Sequence, residues 1–334
     1  MKYLITGAAG FIGSSISNFL AITGNSVVGV DNFSDYYSKE LKKERVEKLL
    51  YPAGVKFIEN DISEFTSINQ IFQNEKPDFV IHLAAQAGVR IPLSQSQKYV
   101  KSNLVGFANV LQIAVENEIP NLIYASSSSV YGDIAKIPYS ELDYNLKPNS
   151  FYGATKLSNE LLTPTLIHGS KTRARGLRFF TVYGPWGRPD MAYFRLVTAA
   201  LTGSQFNLFG DGSVERDFTY IDDVVSIIKQ LCEELQINTN GFHDIVNVGG
   251  GRPLSMNYLI EEIEKVAVKP INIQRKYKHD GDSIKTKANP TYLESIIGKQ
   301  QFTTLEKGIA YFHAWCIVPE NLNRLEEWVS SSKC

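Results

Sequence analysis

The chain has 334 residues, of which 43% are hydrophobic and 21% charged, and its formal net charge is −1. A chain of this length can bury a large core and is predicted to form two lobes, and its charge argues against a nucleic-acid-binding or anionic-membrane-binding surface. No apolar run approaches the ~20 residues that cross a bilayer, Gly7 interrupts the first apolar run too early for a secretory signal, and the scattered cysteines lack metal-ligand spacing. We therefore predict a soluble cytoplasmic protein with reduced thiols, no bound metal, and no membrane or nucleic-acid partner.

The first predicted strand, residues 2–6, runs into a glycine-rich turn, which is followed by a helix and by a second strand that ends at Asp31. Gly7 permits the tight turn, Gly10 allows a pyrophosphate to approach the backbone, and Gly13 allows close helix packing. The free N–H groups at the helix start favour an anion. Asp31 is suited to accept hydrogen bonds from an adenosine ribose and would repel a 2′-phosphate. The unit predicts a Rossmann fold, an α/β doubly wound parallel sheet, that binds NAD rather than NADP.

The next predicted elements are a charged helix over residues 36–50, a third strand over 56–59 and a fourth over 79–85. The fourth strand is apolar and ends in small residues, which would let a cofactor lie close to the strand end. His82 stands in the middle of this apolar run. We therefore interpret it as a hydrogen-bonded core histidine rather than as a catalytic residue.

A serine cluster ends the fifth predicted strand, and a helix with an unusual pair of residues follows it. The cluster, residues 126–129, lies where doubly wound sheets bind ligands. The helix starts near Ser150 and carries Tyr152 and Lys156 one turn apart on one face. A fixed ammonium beside a phenol favours the phenolate and is expected to lower its pKa from ~10. Tyr152 is therefore a candidate general base with Lys156 as its electrostatic partner, although the pair alone is equally consistent with an ordinary exposed helix face.

The sixth predicted strand leads into a loop rich in glycine and proline, which indicates the boundary between the two lobes. We predict an NAD-binding Rossmann domain over residues 1–180 and a smaller C-terminal α/β substrate lobe over residues 181–334. Some segments after the boundary, such as 218–248, are predicted to return to the first domain. In the second lobe, strands, turns and helices alternate up to the C-terminus.

Several motifs extend this interpretation. The G-x-x-G-x-x-G spacing resembles the extended branch of the short-chain dehydrogenase/reductase superfamily, and other motifs resemble nucleotide-sugar epimerases, most closely UDP-glucuronate 4-epimerases. These motifs follow one another in the family's order across nearly the whole chain. They are VDNFSDYY (30–37), HLAAQAGVR (82–90), ASSSSVYG (125–132), GLRFFTVYGPWGRPDMA (176–192) and RDFTYIDD (216–223).

The resemblance implies a specific chemistry. Tyr152 would take the proton from the carbon-4 hydroxyl of a UDP-sugar while hydride leaves for the nicotinamide, and Ser127 would hydrogen-bond the same oxygen. Lys156 would hold the nicotinamide ribose and keep Tyr152 ionisable. The 4-keto sugar would then rotate and receive the hydride on its other face. NAD would end as it began, tightly bound and recycled.

The resemblance also implies two sets of binding residues and a homodimer. The dimer would form through a four-helix bundle built from helices near 103–117 and 151–167. The residues expected to bind NAD are Gly7, Gly10, Phe11, Ile12, Gly13, Asp31, Asn32, Asp61, Ile62, Leu83, Ala84, Ala85, Asn103, Tyr152 and Lys156. The residues expected to bind the UDP-sugar are Gln86, Arg90, Ser127, Ser128, Ser129, Thr181, Arg188, Arg216 and Asp282.

The residues at the end of the fifth strand bear on the substrate. Related 4,6-dehydratases carry an Asp-Glu pair where this chain has Ser128 and Ser129, and a hydroxyl cannot readily replace a carboxylic acid in expelling water. Uncharged hydroxyl donors suit a uronate, whose 4-keto form tends to lose carbon dioxide. His279 and the segment 210–213 depart from the uronate pattern, so a 4-epimerase of UDP-glucose or UDP-N-acetylglucosamine, or another nucleotide-sugar epimerase or dehydratase, stays an alternative. A non-enzymatic NAD-binding sensor is a further alternative.

Overall fold

Twelve strands organise the chain in a computed structural model that describes residues 1–89, 92–133, 135–277 and 284–332. In chain order they are β1 (Lys2–Thr6), β2 (Ser26–Asp31), β3 (Lys56–Glu59), β4 (Phe79–His82), β5 (Asn121–Ser127), β6 (Arg173–Phe179), β7 (Thr181–Tyr183), β8 (Phe206–Phe209), β9 (Glu215–Tyr220), β10 (His243–Val248), β11 (Pro253–Ser255) and β12 (Ile273–Lys276).

The described helices lie between the strands and after the last of them. They are α1 (Phe11–Ile22), α2 (Lys39–Arg45), α3 (Phe65–Glu75), α4 (Ser96–Tyr99), α5 (Phe107–Glu116), α6 (Phe151–Ile167), α7 (Ala192–Thr202), α8 (Ile221–Leu235), α9 (Met256–Ala267), α10 (Thr291–Ile297), α11 (Leu305–Cys316), α12 (Pro319–Leu322) and α13 (Leu325–Ser330). Within the described residues, none of them is both long enough and apolar enough to cross a membrane.

The main sheet has the strand order β10-β6-β5-β4-β1-β2-β3, and every neighbouring pair is parallel. The order reverses direction between β1 and β4, where Thr6 pairs with His82. Ligands of doubly wound sheets bind in the crevice beyond the strand ends at such a switch point. The predicted α/β Rossmann sheet is confirmed, and its switch point lies beside the glycine-rich turn.

Helices cover both faces of this sheet, which explains why its strands are apolar in continuous runs. Successive side chains of β1 point to opposite faces: Ile5 packs with α1 and α8, and Leu4 packs with α3 and α5. Both side chains are fully buried. The two apolar layers hold the strand ends, and hence the crevice above them, in fixed positions.

Some predicted elements have different bounds in the structure. The charged helix begins at Lys39, because the Ser38 hydroxyl accepts a hydrogen bond from Leu41 N–H, and it continues as a π-helical segment, Val46–Leu50. A second π-helical segment, Val100–Gly106, precedes α5. The fourth strand ends at His82 rather than at residue 85.

From residue 181 onwards the chain builds two small sheets and also adds a strand to the main one. Strands β7, β9 and β11 form a three-stranded sheet, and β8 pairs with β12. Helix α8 packs against α1, and β10 pairs with β6 along its whole length, from His243 opposite Ala174 to Val248 opposite Phe179. Of the 218–248 region, α8 and β10 therefore join the main sheet and its helices, while β9 stays with the small sheet.

Candidate active site

A cleft of about 1350 Å³ lies over the carboxyl ends of the central strands and is closed on its far side by segments that follow residue 181. Most of the residues singled out in the sequence line it. They are Gly7, Gly10, Phe11, Ile12, Gly13, Asp31, Asn32, Asp61, Ile62, Leu83, Ala84, Ala85, Gln86, Ser127, Ser128, Ser129, Tyr152, Lys156, Thr181, Arg188 and Arg216. Asn103 does not line the cleft, and Arg90, His279 and Asp282 lie outside the described residues.

The glycine-rich turn is packed so tightly that side chains would not fit. Gly7 has a φ of +73°, and a Cβ there would lie 2.7 Å from the Ala84 nitrogen. A Cβ on Gly13 would collide with the Gly7 carbonyl oxygen. Helix α1 starts at Phe11, and Gly10 before it has no side chain to cap the first N–H groups. The turn thus leaves a concave backbone with free donors that face the cleft.

The Asp31 carboxylate is fixed at the end of β2 by two backbone amides. Ala9 N–H donates to one oxygen at 3.1 Å and Phe33 N–H to the other at 2.8 Å. Each oxygen has a second lone pair available for another donor. The side chain is therefore held in a position from which it can accept hydrogen bonds in the cleft.

A second carboxylate, Asp61, follows β3 at the same end of the cleft. Burial tends to raise its pKa, but hydrogen bonds from Ser63 and Asn32 and the charge of Lys101 outweigh burial and hold the pKa below its usual value. The Lys101 ammonium is 3.5 Å from the carboxylate. Asp61 is therefore an ionised acceptor next to Asn32.

Tyr152 and Lys156 lie on the first two turns of α6, whose start is capped by the Ser150 hydroxyl at 3.0 Å from Gly153 N. The Lys156 ammonium is 5.8 Å from the centre of the Tyr152 ring and donates to the Ala125 carbonyl oxygen at 2.9 Å. Ser127 ends the adjacent strand β5 and hydrogen-bonds the Tyr152 phenol. The three predicted catalytic residues thus meet in one place.

The pKa values of this cluster differ from the expectation. Burial is the largest influence on Tyr152 and raises its pKa, while the charge of Arg188 and the hydrogen bond from Ser127 lower it. Burial also lowers the pKa of Lys156 to about 8, against the charge of Glu160, which raises it. The prediction that Lys156 brings the Tyr152 pKa below its usual value is wrong for this chain, because Lys156 is buried, Tyr152 is half-buried, and desolvation disfavours both charged forms.

Uncharged donors and an ion-paired arginine line the cleft beside Tyr152. Ser129 N–H donates to the Ser127 hydroxyl at 3.1 Å, and Thr181 starts strand β7. Arg188 forms a two-pronged ion pair with Asp190, with N–O distances of 3.0 and 2.5 Å. Because this pairing offsets the arginine charge, hydroxyl groups contribute much of the hydrogen-bonding capacity of this wall.

His82 and Asn103 have structural positions outside the cleft lining. His82 is buried, its Nδ1 lies 2.7 Å from the Thr6 hydroxyl, and burial together with the charge of Lys156 lowers its pKa to about 3. The interpretation of His82 as a core histidine is confirmed. The Asn103 amide is engaged with both backbone groups of Gln86 and with Thr155, at 2.7 to 3.1 Å. It supports the cleft wall from behind, since π-helical winding places it between α6 and the 84–87 segment.

A profile of the NAD dependent epimerase/dehydratase family matches residues 3–249. The chain belongs to this family. It is similar to a probable UDP-glucuronate 4-epimerase of Rhizobium meliloti (strain 1021), 38% identical over 329 residues that cover 94% of this chain and 96% of the relative. UDP-glucuronate 4-epimerase 2 of Arabidopsis thaliana is 38% identical over 328 residues, which cover 94% of this chain and 75% of the relative. The solved structure of UDP-glucuronic acid 4-epimerase from Bacillus cereus, in complex with UDP-glucuronic acid and NAD, superimposes with a TM-score of 0.86 at 32% identity and covers 94% of this chain and 98% of that one.

The cleft of this NAD-dependent epimerase/dehydratase fits the cofactor for which the family is named. The glycine turn offers a cradle that any Cβ would fill, with free helix N–H groups for the pyrophosphate. Asp31 is fixed where an adenosine ribose would need an acceptor. The 83–85 segment also lines the cleft, and the small side chains of Ala84 and Ala85 leave room for a cofactor there. These residues would hold NAD.

One buried arginine that sequence reasoning missed connects the two sides of the cleft in this epimerase/dehydratase. Arg45 donates to the Ala9 carbonyl at 3.0 Å and to the Tyr37 hydroxyl at 2.7 Å. It also donates to the Trp186 and Gly187 carbonyls at 2.9 and 2.8 Å. The glycine turn and the loop that carries Arg188 are thereby linked. Nothing in the basic run of α2 distinguishes Arg45 from the exposed residues Lys39 and Lys43.

Proposed function

We propose that this protein is an NAD-dependent UDP-sugar 4-epimerase that interconverts UDP-glucuronate and UDP-galacturonate. The observation that carries the proposal is the wall beside Tyr152, where Ser127, Ser128, Ser129 and Thr181 line the same cleft while Asp190 offsets the charge of Arg188. Similarity to UDP-glucuronate 4-epimerases over nearly the whole chain supports it.

Tyr152 is the group that accepts and returns the proton of the carbon-4 hydroxyl. Its phenol is partly desolvated and needs compensation to become a phenolate, and the charge of Arg188 and the hydrogen bond from Ser127 both lower its pKa. Ser127 is also placed to hydrogen-bond the reacting oxygen. NAD, when bound, supplies the reversible oxidation of that carbon and is regenerated in each cycle.

The side of the cleft formed by Ser127, Ser128, Ser129 and Thr181, called the hydroxyl wall below, has a second role for a uronate. Oxidation at carbon 4 produces a β-keto acid, which loses carbon dioxide when its carboxylate is free to align with the keto group. Donors that hold both carboxylate oxygens restrict that alignment and leave the group hydrogen-bonded. Ser128, Ser129 and Thr181 provide such donors without adding a general acid.

The direct test is to incubate the protein, without added NAD, with UDP-glucuronate, UDP-glucose and UDP-N-acetylglucosamine in parallel and to separate the products by anion-exchange chromatography. We expect UDP-galacturonate from the first and little or no conversion of the other two. Conversion of the neutral sugars alone would overturn the uronate assignment, and no conversion of any sugar would favour a sensor.

A pair of variants identifies the role of the hydroxyl wall. Thr181→Val keeps the side-chain shape but removes a donor to a charged group, so kcat/KM for UDP-glucuronate should fall ~10–100-fold. Thr219 lies on β9 opposite Val182, next to Thr181, and does not line the cleft. Thr219→Val should leave kcat/KM within a factor of a few, and an equal loss in both variants would argue against a substrate contact.

We further propose a homodimer formed through α5, α6 and the residues just before α5. Apolar side chains are exposed on this surface, including Val105, Leu161, Leu162 and Leu166, and Leu161 is 66% exposed. A second copy that presents the same surface would cover them in a two-fold arrangement.

The molar mass from light scattering, measured on the protein as it elutes from a size-exclusion column, tests the dimer. We expect a mass of two chains for the wild type and of one chain for the Leu161→Asp/Leu166→Asp double variant, because charges in the paired surface stay unpaired. Ile237→Asp is the control, since Ile237 is 82% exposed and lies just after α8. A double variant that keeps the dimer mass would exclude this surface.

A further inference from the structure

A buried ion pair lies directly behind the catalytic lysine. Glu160 on α6 and Arg178 on β6 are only 6% and 3% exposed. Arg178 donates to the two carboxylate oxygens through Nε at 2.9 Å and Nη2 at 2.7 Å. Ser126, next to the catalytic Ser127, donates to the same carboxylate at 2.5 Å. The carboxylate therefore accepts three hydrogen bonds from two neighbours and is shielded from water.

The pair is connected to Lys156 by position and by hydrogen bonds. Glu160 follows Lys156 by one helical turn, so both side chains lie on the same face of α6. The Lys156 ammonium donates to the carbonyl of Ala125, the residue before Ser126. Lys156 and Glu160 thus hydrogen-bond the adjacent β5 residues Ala125 and Ser126, so the sheet fixes the distance between the two side chains.

Two features set this ion pair apart from a simple structural contact. The Arg178 guanidinium lies over the Tyr131 ring, with 4.7 Å from its carbon to the ring centre. Its Nη1 is buried and has no hydrogen-bond partner in the described part of the chain. The charge of Arg178 is directed at Glu160, through two hydrogen bonds.

We propose that Glu160 and Arg178 are positioning residues that together hold Lys156 in place as the charged ammonium beside Tyr152. The inference deepens the proposed 4-epimerase reaction and rests on it. Glu160 favours the charged ammonium in a site where burial disfavours it, and Arg178 limits that effect by offsetting the carboxylate.

The other titratable groups around Lys156 do not carry this role. His82 from β4 is buried and His243 from β10 is half-buried, and desolvation lowers the pKa of both, so both are neutral at pH 7. Burial raises the pKa of Tyr124 on β5, which is therefore neutral as well. Glu141 is half-buried, its pKa is raised mainly by burial, and it acts on Arg178 rather than on Lys156. From the cleft side Arg188 acts on Tyr152 and is itself paired with Asp190.

The experiment measures the proton affinity of Lys156 directly in the full-length chain. The protein is pulse-labelled with acetic anhydride at a series of pH values, and labelling of the Lys156 peptide is followed by mass spectrometry, since only the neutral amine reacts. The wild-type midpoint should lie near the Lys156 pKa of about 8. Glu160→Gln should move the midpoint down by about one pH unit or more, because Arg178 then stays uncompensated.

Arg178→Gln should move the midpoint in the opposite direction, since it leaves the Glu160 charge without its partner. The double variant, which lacks both charges, should return towards the wild-type midpoint. In Glu160→Gln the high-pH limb of the kcat/KM profile should shift down by the same amount as the labelling midpoint. Labelling does not depend on turnover, so a chain that is not a 4-epimerase would still report whether the pair acts on Lys156.

Asp244→Asn is the matched control for loss of a buried ion pair. Asp244 is bound by Arg175 on the same strand as Arg178, through two hydrogen bonds of 2.7 and 2.8 Å. Neither group contributes to the pKa shifts of Lys156 or Tyr152. This variant should lower the melting temperature and leave the midpoint unchanged. A Glu160→Gln variant with a lower melting temperature but a wild-type midpoint would overturn the proposal.

Discussion

Tyr152→Phe should abolish epimerisation, with a loss of at least ~10²–10⁴ in kcat, the range expected when a general acid–base group is removed. The phenyl ring can keep its edge contact with Tyr99, whose ring centre is 6.4 Å away. The substitution therefore removes the phenol oxygen and its hydrogen bond with Ser127 and little else. We expect NAD to remain bound in amounts equal to the wild type, as measured by absorbance of the protein-released cofactor.

Tyr183→Phe is the control for removal of a buried tyrosine hydroxyl. Tyr183 is buried, donates to the Thr304 carbonyl at 3.3 Å and does not line the cleft. Loss of that bond should cost about 1 kcal/mol of stability and leave kcat within a factor of a few. A Tyr152→Phe enzyme that retains a tenth of wild-type kcat would refute the assignment of the proton-transfer group.

Gly13→Ala should remove NAD binding and destabilise the protein. Alanine normally stabilises a helix position by ~1 kcal/mol relative to glycine. Here its methyl group would collide with the Gly7 carbonyl oxygen, a backbone atom, and neither the methyl group nor that oxygen can move without shifting the backbone of α1 or of the glycine turn. We expect at least a tenfold loss of co-purified NAD and a lower melting temperature, by calorimetry.

Gly250→Ala serves as the matched substitution. Gly250 has a negative or extended φ, and its added Cβ would first meet the Phe302 ring at 3.3 Å, a side chain that can shift slightly. NAD content should equal the wild type. If Gly13→Ala were as stable as the wild type and kept its NAD, the glycine turn would not be the close-packed cradle described above.

The parts of the fold that local chemistry determines were predictable from the sequence. Continuous apolar strands, the Gly7-Gly10-Gly13 turn and a terminal Asp31 together specify a dinucleotide-binding unit, and the observed sheet order follows it. His82 was predictable as a core residue because a strand with a continuous apolar sequence is buried on both faces, and a histidine in its middle is buried with it. The meeting of Ser127, Tyr152 and Lys156 follows from strand ends that share one edge of a parallel sheet.

Features that depend on long-range packing were not predictable. The pKa of Tyr152 depends on how much water the assembled cleft excludes, and burial reversed the direction expected from Lys156 alone. Arg188 was predicted as a substrate contact, but its partnership with Asp190 depends on the local loop conformation. Asn103 lies behind the cleft because a π-helical segment rotates it towards Gln86, and helical periodicity gives no sign of that winding.

Strand β10 limits how this enzyme can be recombined with its relatives. A hybrid that joins residues 1–180 to the second half of another protein would also replace β10 and α8, which are parts of the main sheet and of its helical cover. The incoming strand would have to reproduce the pairing of residues 243–248 with β6, and the incoming helix would have to fit α1. Grafting the proposed substrate-binding wall around Thr181 and Arg188 would disturb the main sheet less than swapping whole halves.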